Sequence, residues 1–265
     1  MNKKVKKFLT KKNKTKVICL TAYSKNIASI LDKHCDLVLV GDSLGSVLYE
    51  YKSTKEVTLD TMINHSKSVR IGVKKSLMVV DMPYNTYRNS KEALKNARLV
   101  MKKTNCDAVK LEGGKKIISI VKSLVKNNIP VMGHLGILPQ TEKKFTYKGK
   151  KLIERNRILK DAKLLEDAGI FSVVLECIET KLAKKITEQL NIITVGIGSS
   201  ANCDGQVLVM DDLIGLSQSK FRFVKKYVNI SKIINSAVKK YKSEVLNKQF
   251  PKAKHSFKKK SGSRT

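Results

Sequence analysis

Residues 108–136 read AVKLEGGKKIISIVKSLVKNNIPVMGHLG: a short apolar run, a helical stretch and a second short run. Ala108–Leu111 and Pro130–Met132 are continuous rather than alternating, the pattern of strands buried on both faces. Between them Ile117, Val121, Leu124 and Val125 fall on one helical face. The same alternation extends both ways along the chain. Val17–Ala22, Leu37–Gly41 and Leu77–Val80 precede this stretch; Ser172–Leu175, Ile192–Val195 and Val207–Met210 follow it, making eight runs. Helical stripes lie between them. They are Ile27/Ile30/Leu31, then Leu94/Ala97/Val100/Met101 with Ser90 as N-cap, then Ile158/Ala162/Leu165/Ala168 closed by Gly169, and Leu182/Ile186/Leu190. A last helix carries Ile234, Ala237, Val238, Tyr241 and Val245. Eight strands alternating with helices predict an α/β fold, a (β/α)8 TIM barrel, as a single domain over 1–265. A basic segment at 1–15 and a frayed tail at 258–265 flank it. A doubly wound open sheet shares the pattern, because periodicity does not show closure.

Composition narrows the function classes. Hydrophobic residues form 42% of the 265, enough for a sizeable core and against chain-wide disorder. No apolar run reaches the ~18 residues of a membrane span. Cys19, Cys35, Cys106, Cys177 and Cys203 are odd in number and form no CxxC pair, which fits reduced thiols in a cytoplasmic protein. Residues 1–16 are basic but lack both an apolar signal stretch and arginine, so neither a signal nor a transit peptide is expected. Lys plus Arg outnumber Asp plus Glu by 54 to 22, a net charge of +32. Such an excess raises the question of nucleic acid. Only seven of these cations are Arg, the lysines are spread over most helices and loops, and Trp is absent. A solvated basic surface is therefore the favoured reading over a nucleic-acid footprint, which calls for a basic stripe with interleaved aromatics.

In a parallel barrel the active site lies at the C-terminal ends of the strands, so the residues that end each run carry the chemistry. The second run ends in Asp42-Ser43, the third in Asp81, the fourth in Lys110-Leu111-Glu112, the fifth in His134 and the sixth in Glu176. One carboxylate at a strand end commonly caps a helix. Four acids converging in a partly dry cleft repel, and a hard divalent cation is their natural partner. Mg²⁺ takes one or two carboxylates, with waters and substrate oxygens completing the octahedron. No HxH or CxxC spacing argues for structural zinc. His134 is an auxiliary candidate, more often scaffold than reagent. Gly196-Ile-Gly198-Ser199-Ser200 lacks the third glycine of a dinucleotide motif.

Six segments occur in order: Val40-Gly-Asp-Ser-Leu-Gly45, Asp81-Met-Pro83, Val109-Lys-Leu-Glu-Gly-Gly114, Gly133-His-Leu-Gly136 with Pro139-Gln140, Leu175-Glu-Cys177 and Asp204-Gly-Gln-Val-Leu-Val209. Together they strongly resemble the ketopantoate hydroxymethyltransferase family, from about Lys16 to Phe257. The resemblance implies a (β/α)8 barrel of the phosphoenolpyruvate/pyruvate superfamily type. It also implies transfer of a hydroxymethyl group from 5,10-methylenetetrahydrofolate to 3-methyl-2-oxobutanoate, an α-keto acid, in pantothenate synthesis. Asp42 and Asp81 would ligate Mg²⁺, with Glu112 completing the site directly or through water. Asp42, Ser43, Asp81 and Lys110 would hold the keto acid, and Glu176 would be the general base. A homo-oligomer, a decamer in many bacterial members, is the implied assembly. The chain departs from the family at Lys143-Lys-Phe-Thr-Tyr-Lys-Gly149, shorter and more basic than the usual covering loop, and at Ser199-Ser200. Related metal-dependent C–C lyases and mutases typically carry a loop cysteine near the keto acid. The loop from Ile137 to Lys150 has none.

Overall fold

The computed structural model describes residues 2–142 and 146–257. The covering-loop residues 143–145 and the tail 258–265 lie outside this range. The chain divides into two compact units. The first runs to Met210 and takes in Lys220–Val224; the second comprises Asp211–Ser219 and the chain from Lys225 onward.

The first unit alternates strands and helices. In order they are α1 (Lys3–Leu9), β1 (Val17–Thr21), α2 (Lys25–Leu31), β2 (Leu37–Val40), α3 (Leu44–Leu48), α4 (Leu59–Gly72), β3 (Leu77–Asp81), α5 (Ser90–Thr104), β4 (Ala108–Glu112) and α6 (Ile118–Lys126). There follow β5 (Val131–Gly136), α7 (Leu152–Asp167), β6 (Ser172–Glu176), α8 (Thr180–Gln189), β7 (Ile193–Ile197), β8 (Gly205–Leu208) and α9 (Met210–Leu213), whose end enters the second unit. All eight strands are parallel, and β8 pairs with β1 to close the barrel, which excludes the open sheet.

Alternation along each strand sorts side chains into two buried layers. Val38, Val40, Met78, Val80, Val109 and Leu111 face the helices. Leu37, Leu39, Leu77, Val79, Ala108 and Met132 fill the bore. A strand's side-chain period is two, so Asp81, Lys110, Glu112, His134 and Glu176 continue the bore-facing series to its C-terminal mouth. The opposite mouth is filled by α1. Val5 and Phe8 are buried there, with the Phe8 ring edge-on to Phe171 at 6.0 Å. The segment expected only as a basic lead-in thus supplies a plug. Its lysines are tied down by Asp107, Asp36 and Asp204.

Three local expectations change. The N-cap of α5 is Asn89, whose side chain accepts the Glu92 N–H, and Ser90 is the first helical residue. Ile30 does not join the buried face of α2; Ala28 and Leu31 do. In the second unit, α10 (Ile230–Leu246) has the expected apolar stripe, yet none of its residues is buried and Val238 and Tyr241 are more than half exposed.

Candidate active site

The strand register builds the site. Asp81 pairs with Lys110 across β3 and β4, and Glu112 pairs with His134 across β4 and β5. Gly136 pairs with Glu176 across β5 and β6, which sets Glu176 diagonally above His134. Asp42 lies just beyond β2. Gly41 before it permits the approach, since a Cβ there would stand 2.8 Å from Ser43 Oγ and 3.5 Å from Asp81 Oδ2. Gly136 takes φ +104°, and a Cβ on it would meet the Glu176 carbonyl oxygen at 2.0 Å. Both glycines let charged strand ends crowd together.

The acids and cations contact one another directly. The Asp42 N–H donates to Asp81 Oδ2 at 3.1 Å, and Lys110 Nζ lies 3.0 Å from Asp81 Oδ1. His134 stands between two carboxylates, with Nδ1 3.3 Å from Glu112 Oε1 and Nε2 3.1 Å from Glu176 Oε2. Ser43 Oγ is 2.8 Å from the Tyr23 hydroxyl. Asp42, Asp81, Lys110, Glu112 and His134 are all buried, while Glu176 is partly open. Every site residue expected from the sequence therefore lies at this one mouth of the barrel.

Burial and crowding set the protonation states. Burial first, then Asp81 and Glu112, push Asp42 up to about 8. Burial likewise raises Asp81 above the usual carboxylate range, against the pull of Lys110. For Lys110 the desolvation is outweighed by Asp81, Glu112 and Asp42, and its ammonium is held above its ordinary value. Glu112 is held low despite burial, because His134 and Lys110 favour its charge. Burial and Lys110 oppose charge on His134, but Glu112 and Glu176 win and raise it to about 9.

The donor set is narrower than the four acids suggest. Among the described residues no three His, Cys, Asp or Glu side chains converge as a ligand cluster. Glu112 explains this. One of its oxygens faces His134 and the other accepts the Gln140 N–H at 3.1 Å. Asp42 and Asp81 remain. Asp81 Oδ1 is buried and, beyond its ion pair, accepts no well-aligned hydrogen bond. Two adjacent carboxylates disfavoured as bare charges, one with an unused oxygen, fit Mg²⁺, which needs only one or two carboxylates and keeps water.

Two contributors were missed by sequence reasoning. The Gln140 side chain donates to Asp42 Oδ2 at 2.8 Å and to the Met82 carbonyl at 2.9 Å, while accepting from the Tyr87 hydroxyl. Tyr87 in turn receives the Glu112 N–H at 3.4 Å. Gln140 stood in the Pro139-Gln140 motif, but a neutral amide carries no charge signal. Tyr87 lies in a loop with no pattern of its own.

Comparison with known proteins bears on the family and the fold. Residues 2–253 match the family described as ketopantoate hydroxymethyltransferase. The chain is 68% identical to the 3-methyl-2-oxobutanoate hydroxymethyltransferase of Pelagibacter ubique (strain HTCC1062), covering 97% of this chain and 100% of that one. It is 47% identical to the protein of the same name from Rhizobium etli, over 91% of this chain and 90% of the relative. Among solved structures, a phosphonopyruvate hydrolase in complex with oxalate and Mg²⁺ shares the fold at TM-score 0.60 and 8% identity, over 95% of this chain and 93% of that one. So does the phosphoenolpyruvate phosphomutase of Streptomyces platensis subsp. rosaceus, at TM-score 0.60 and 10% identity, over 92% and 87%. The sequence matches over nearly the whole chain, together with the shared barrel, place this chain in the ketopantoate hydroxymethyltransferase family.

Proposed function

We propose that this chain transfers a hydroxymethyl group from 5,10-methylenetetrahydrofolate to 3-methyl-2-oxobutanoate, giving ketopantoate. The observation that carries this reading is the Asp42–Asp81–Lys110 group set beside Glu176 at one barrel mouth. Asp42 and Asp81 would hold Mg²⁺, with Glu112 acting through water. The cation, when bound, supplies a Lewis acid for the keto oxygen.

The chain's own groups do the rest. Lys110 and Ser43 hold the keto acid, the ammonium offsetting charge that grows on the oxygen as the C3 proton leaves. Glu176 takes that proton. Its partial exposure leaves room for the substrate carbon, and a positioned base contributes roughly 10²–10⁴-fold in rate. His134, charged between Glu112 and Glu176, fixes the Glu176 carboxylate. The resulting carbanion takes up the donor's one-carbon unit, with the C–N bonds to that carbon broken, water supplying the hydroxyl oxygen and tetrahydrofolate leaving. A cytoplasmic location follows from this metabolic role. The exposed apolar stripe on α10 supports a homo-oligomer, a decamer by analogy with the family.

Proton NMR in D₂O with 3-methyl-2-oxobutanoate and Mg²⁺ tests the proposal, first without and then with the folate donor. Metal-dependent loss of the C3 proton, followed by ketopantoate on adding donor, is expected. Folded, metal-loaded protein that gives neither signal would overturn it.

A further inference from the structure

The strand that carries the proposed base ends in a constrained turn. Glu176 is the last residue of β6, and Cys177 after it takes φ +49°. This left-handed backbone is uncommon for a residue with a side chain and persists where the surroundings impose it. Three neighbouring segments do so through the main chain. Just past β5, the Ile137 N–H donates to the Glu176 carbonyl at 2.9 Å. From the covering loop, the Lys148 N–H donates to the Cys177 carbonyl at 2.8 Å. On β7, the Ile197 carbonyl accepts the Cys177 N–H at 2.8 Å.

The remaining contact comes from a side chain. Ser199, in the loop after β7, donates its hydroxyl to the Leu175 carbonyl at 2.7 Å and accepts the Ile178 N–H at 3.0 Å. In an ordinary β-turn the first carbonyl bonds the fourth N–H directly. Here one hydroxyl bridges the first and fourth residues, and Glu176 and Cys177 are the two between them. The neighbouring Ser200 does something else. Its hydroxyl accepts the Asn202 N–H at 3.2 Å and so serves its own loop. Of the two serines at which the chain departs from its family, only Ser199 reaches the strand that bears the base. His134 holds the tip of the Glu176 side chain, and the bridged turn sets its root.

We infer that Ser199 is a positioning residue for proton abstraction: its hydroxyl clamps the turn 175–178 and thereby aims the Glu176 carboxylate at the C3 proton. The inference rests on the proposed reaction and on Glu176 as its base. A misplacement of about 1 Å at a reacting group can cost on the order of 10²-fold in rate. The main-chain contacts persist when the hydroxyl is removed, so a smaller loss, about tenfold, is expected of Ser199→Ala.

Proton NMR of C3 exchange in D₂O, with 3-methyl-2-oxobutanoate and the Mg²⁺-loaded protein, tests the clamp. Wild type, Ser199→Ala, Ser200→Ala, Glu176→Gln and the double variant Ser199→Ala/Glu176→Gln are compared over a range of keto-acid concentrations. Ser199→Ala should exchange about tenfold more slowly at saturation, with its KM for keto acid unchanged. Ser200→Ala should match wild type. The double variant should be no slower than Glu176→Gln alone, because the clamp then has no base to position. Normal exchange at saturation in Ser199→Ala, a loss expressed only in KM, an equal loss in Ser200→Ala, or a further loss in the double variant would each overturn the inference. Failure of the underlying reading looks different. Glu176→Gln then exchanges as fast as wild type, whereas a failed clamp leaves Glu176→Gln slow and Ser199→Ala normal.

Discussion

His134 Nε2 lies 3.1 Å from Glu176 Oε2 while its other ring nitrogen faces Glu112, so one buried imidazolium links the proposed base to the floor of the site. The His134 pKa stands at about 9 against an ordinary 6.5, so the fold favours the protonated ring. The sign follows from linkage: this stability is complete below about pH 6.5 and fades as pH rises through about 9. A shift of that size corresponds to about 3 kcal/mol. In metal-free protein, the gap in urea midpoint between wild type and His134→Asn should be wide at pH 6 and narrow by about pH 9.5. A gap independent of pH would mean that the ring is neutral.

Asp42 has the opposite consequence. Its carboxyl is raised to about 8, so the folded metal-free chain loses stability as pH climbs from the usual carboxylate range toward that value. Asp42→Asn should therefore melt several degrees above wild type at pH 8 without Mg²⁺, and close to it at pH 4. Added Mg²⁺ should raise the wild-type melting temperature and leave the variant unmoved. Equal responses to Mg²⁺ would remove Asp42 from the metal site.

Glu176→Gln keeps the shape of the base and removes its proton affinity. Turnover should fall by roughly 10²–10⁴-fold, with binding of keto acid and Mg²⁺ retained. Near-normal turnover in the NMR assay would take Glu176 out of the role.

Lys110→Met leaves Asp81 and Asp42 without their buried counter-charge. Breaking such a pair costs about 3–5 kcal/mol, so metal-free variant protein should unfold at markedly lower urea. Mg²⁺ should restore part of this loss, because a cation replaces the missing ammonium. Unchanged stability in both conditions would show that water reaches and screens the pair.

Gln140→Ala withdraws the amide that orients Asp42. An unsatisfied buried acceptor costs about 1–3 kcal/mol, so affinity for keto acid and Mg²⁺ together should weaken tenfold or more. Measured by titration, a normal affinity would assign Gln140 to folding alone.

The barrel and its charged mouth were legible because both are strand properties. Continuous apolar runs marked β1 to β8, and a residue that ends such a run must face the mouth or the helices, with little freedom between. Asp81, Glu112 and Glu176 end their runs in the sequence and are the last residues of β3, β4 and β6, which fixes their side chains in the bore. Other features left weaker traces. The buried face of α4 includes Ser66 and Gly72 beside Met62, Ile63 and Val69, so its apolar period is diluted. Only Val5, Phe8 and Leu9 among lysines mark α1. Tyr87 and Gln140 act through hydrogen bonds across 53 positions, and no local pattern encodes such a contact.

The α1 plug also bears on how the chain assembles. Lys12, just past that helix, reaches Asp204 before β8, a contact between residues 192 positions apart. A chain made from its N-terminus produces the stopper first and its last anchor near the end of the barrel. Docking of α1 and closure of the β1–β8 seam must then come together as one late, non-local event. Until then the apolar bore is open at its base. A chain halted after β7 would expose Leu37, Leu77 and Ile193 to any passing hydrophobic surface, which makes the interval before β8 emerges the time when a chaperone matters most.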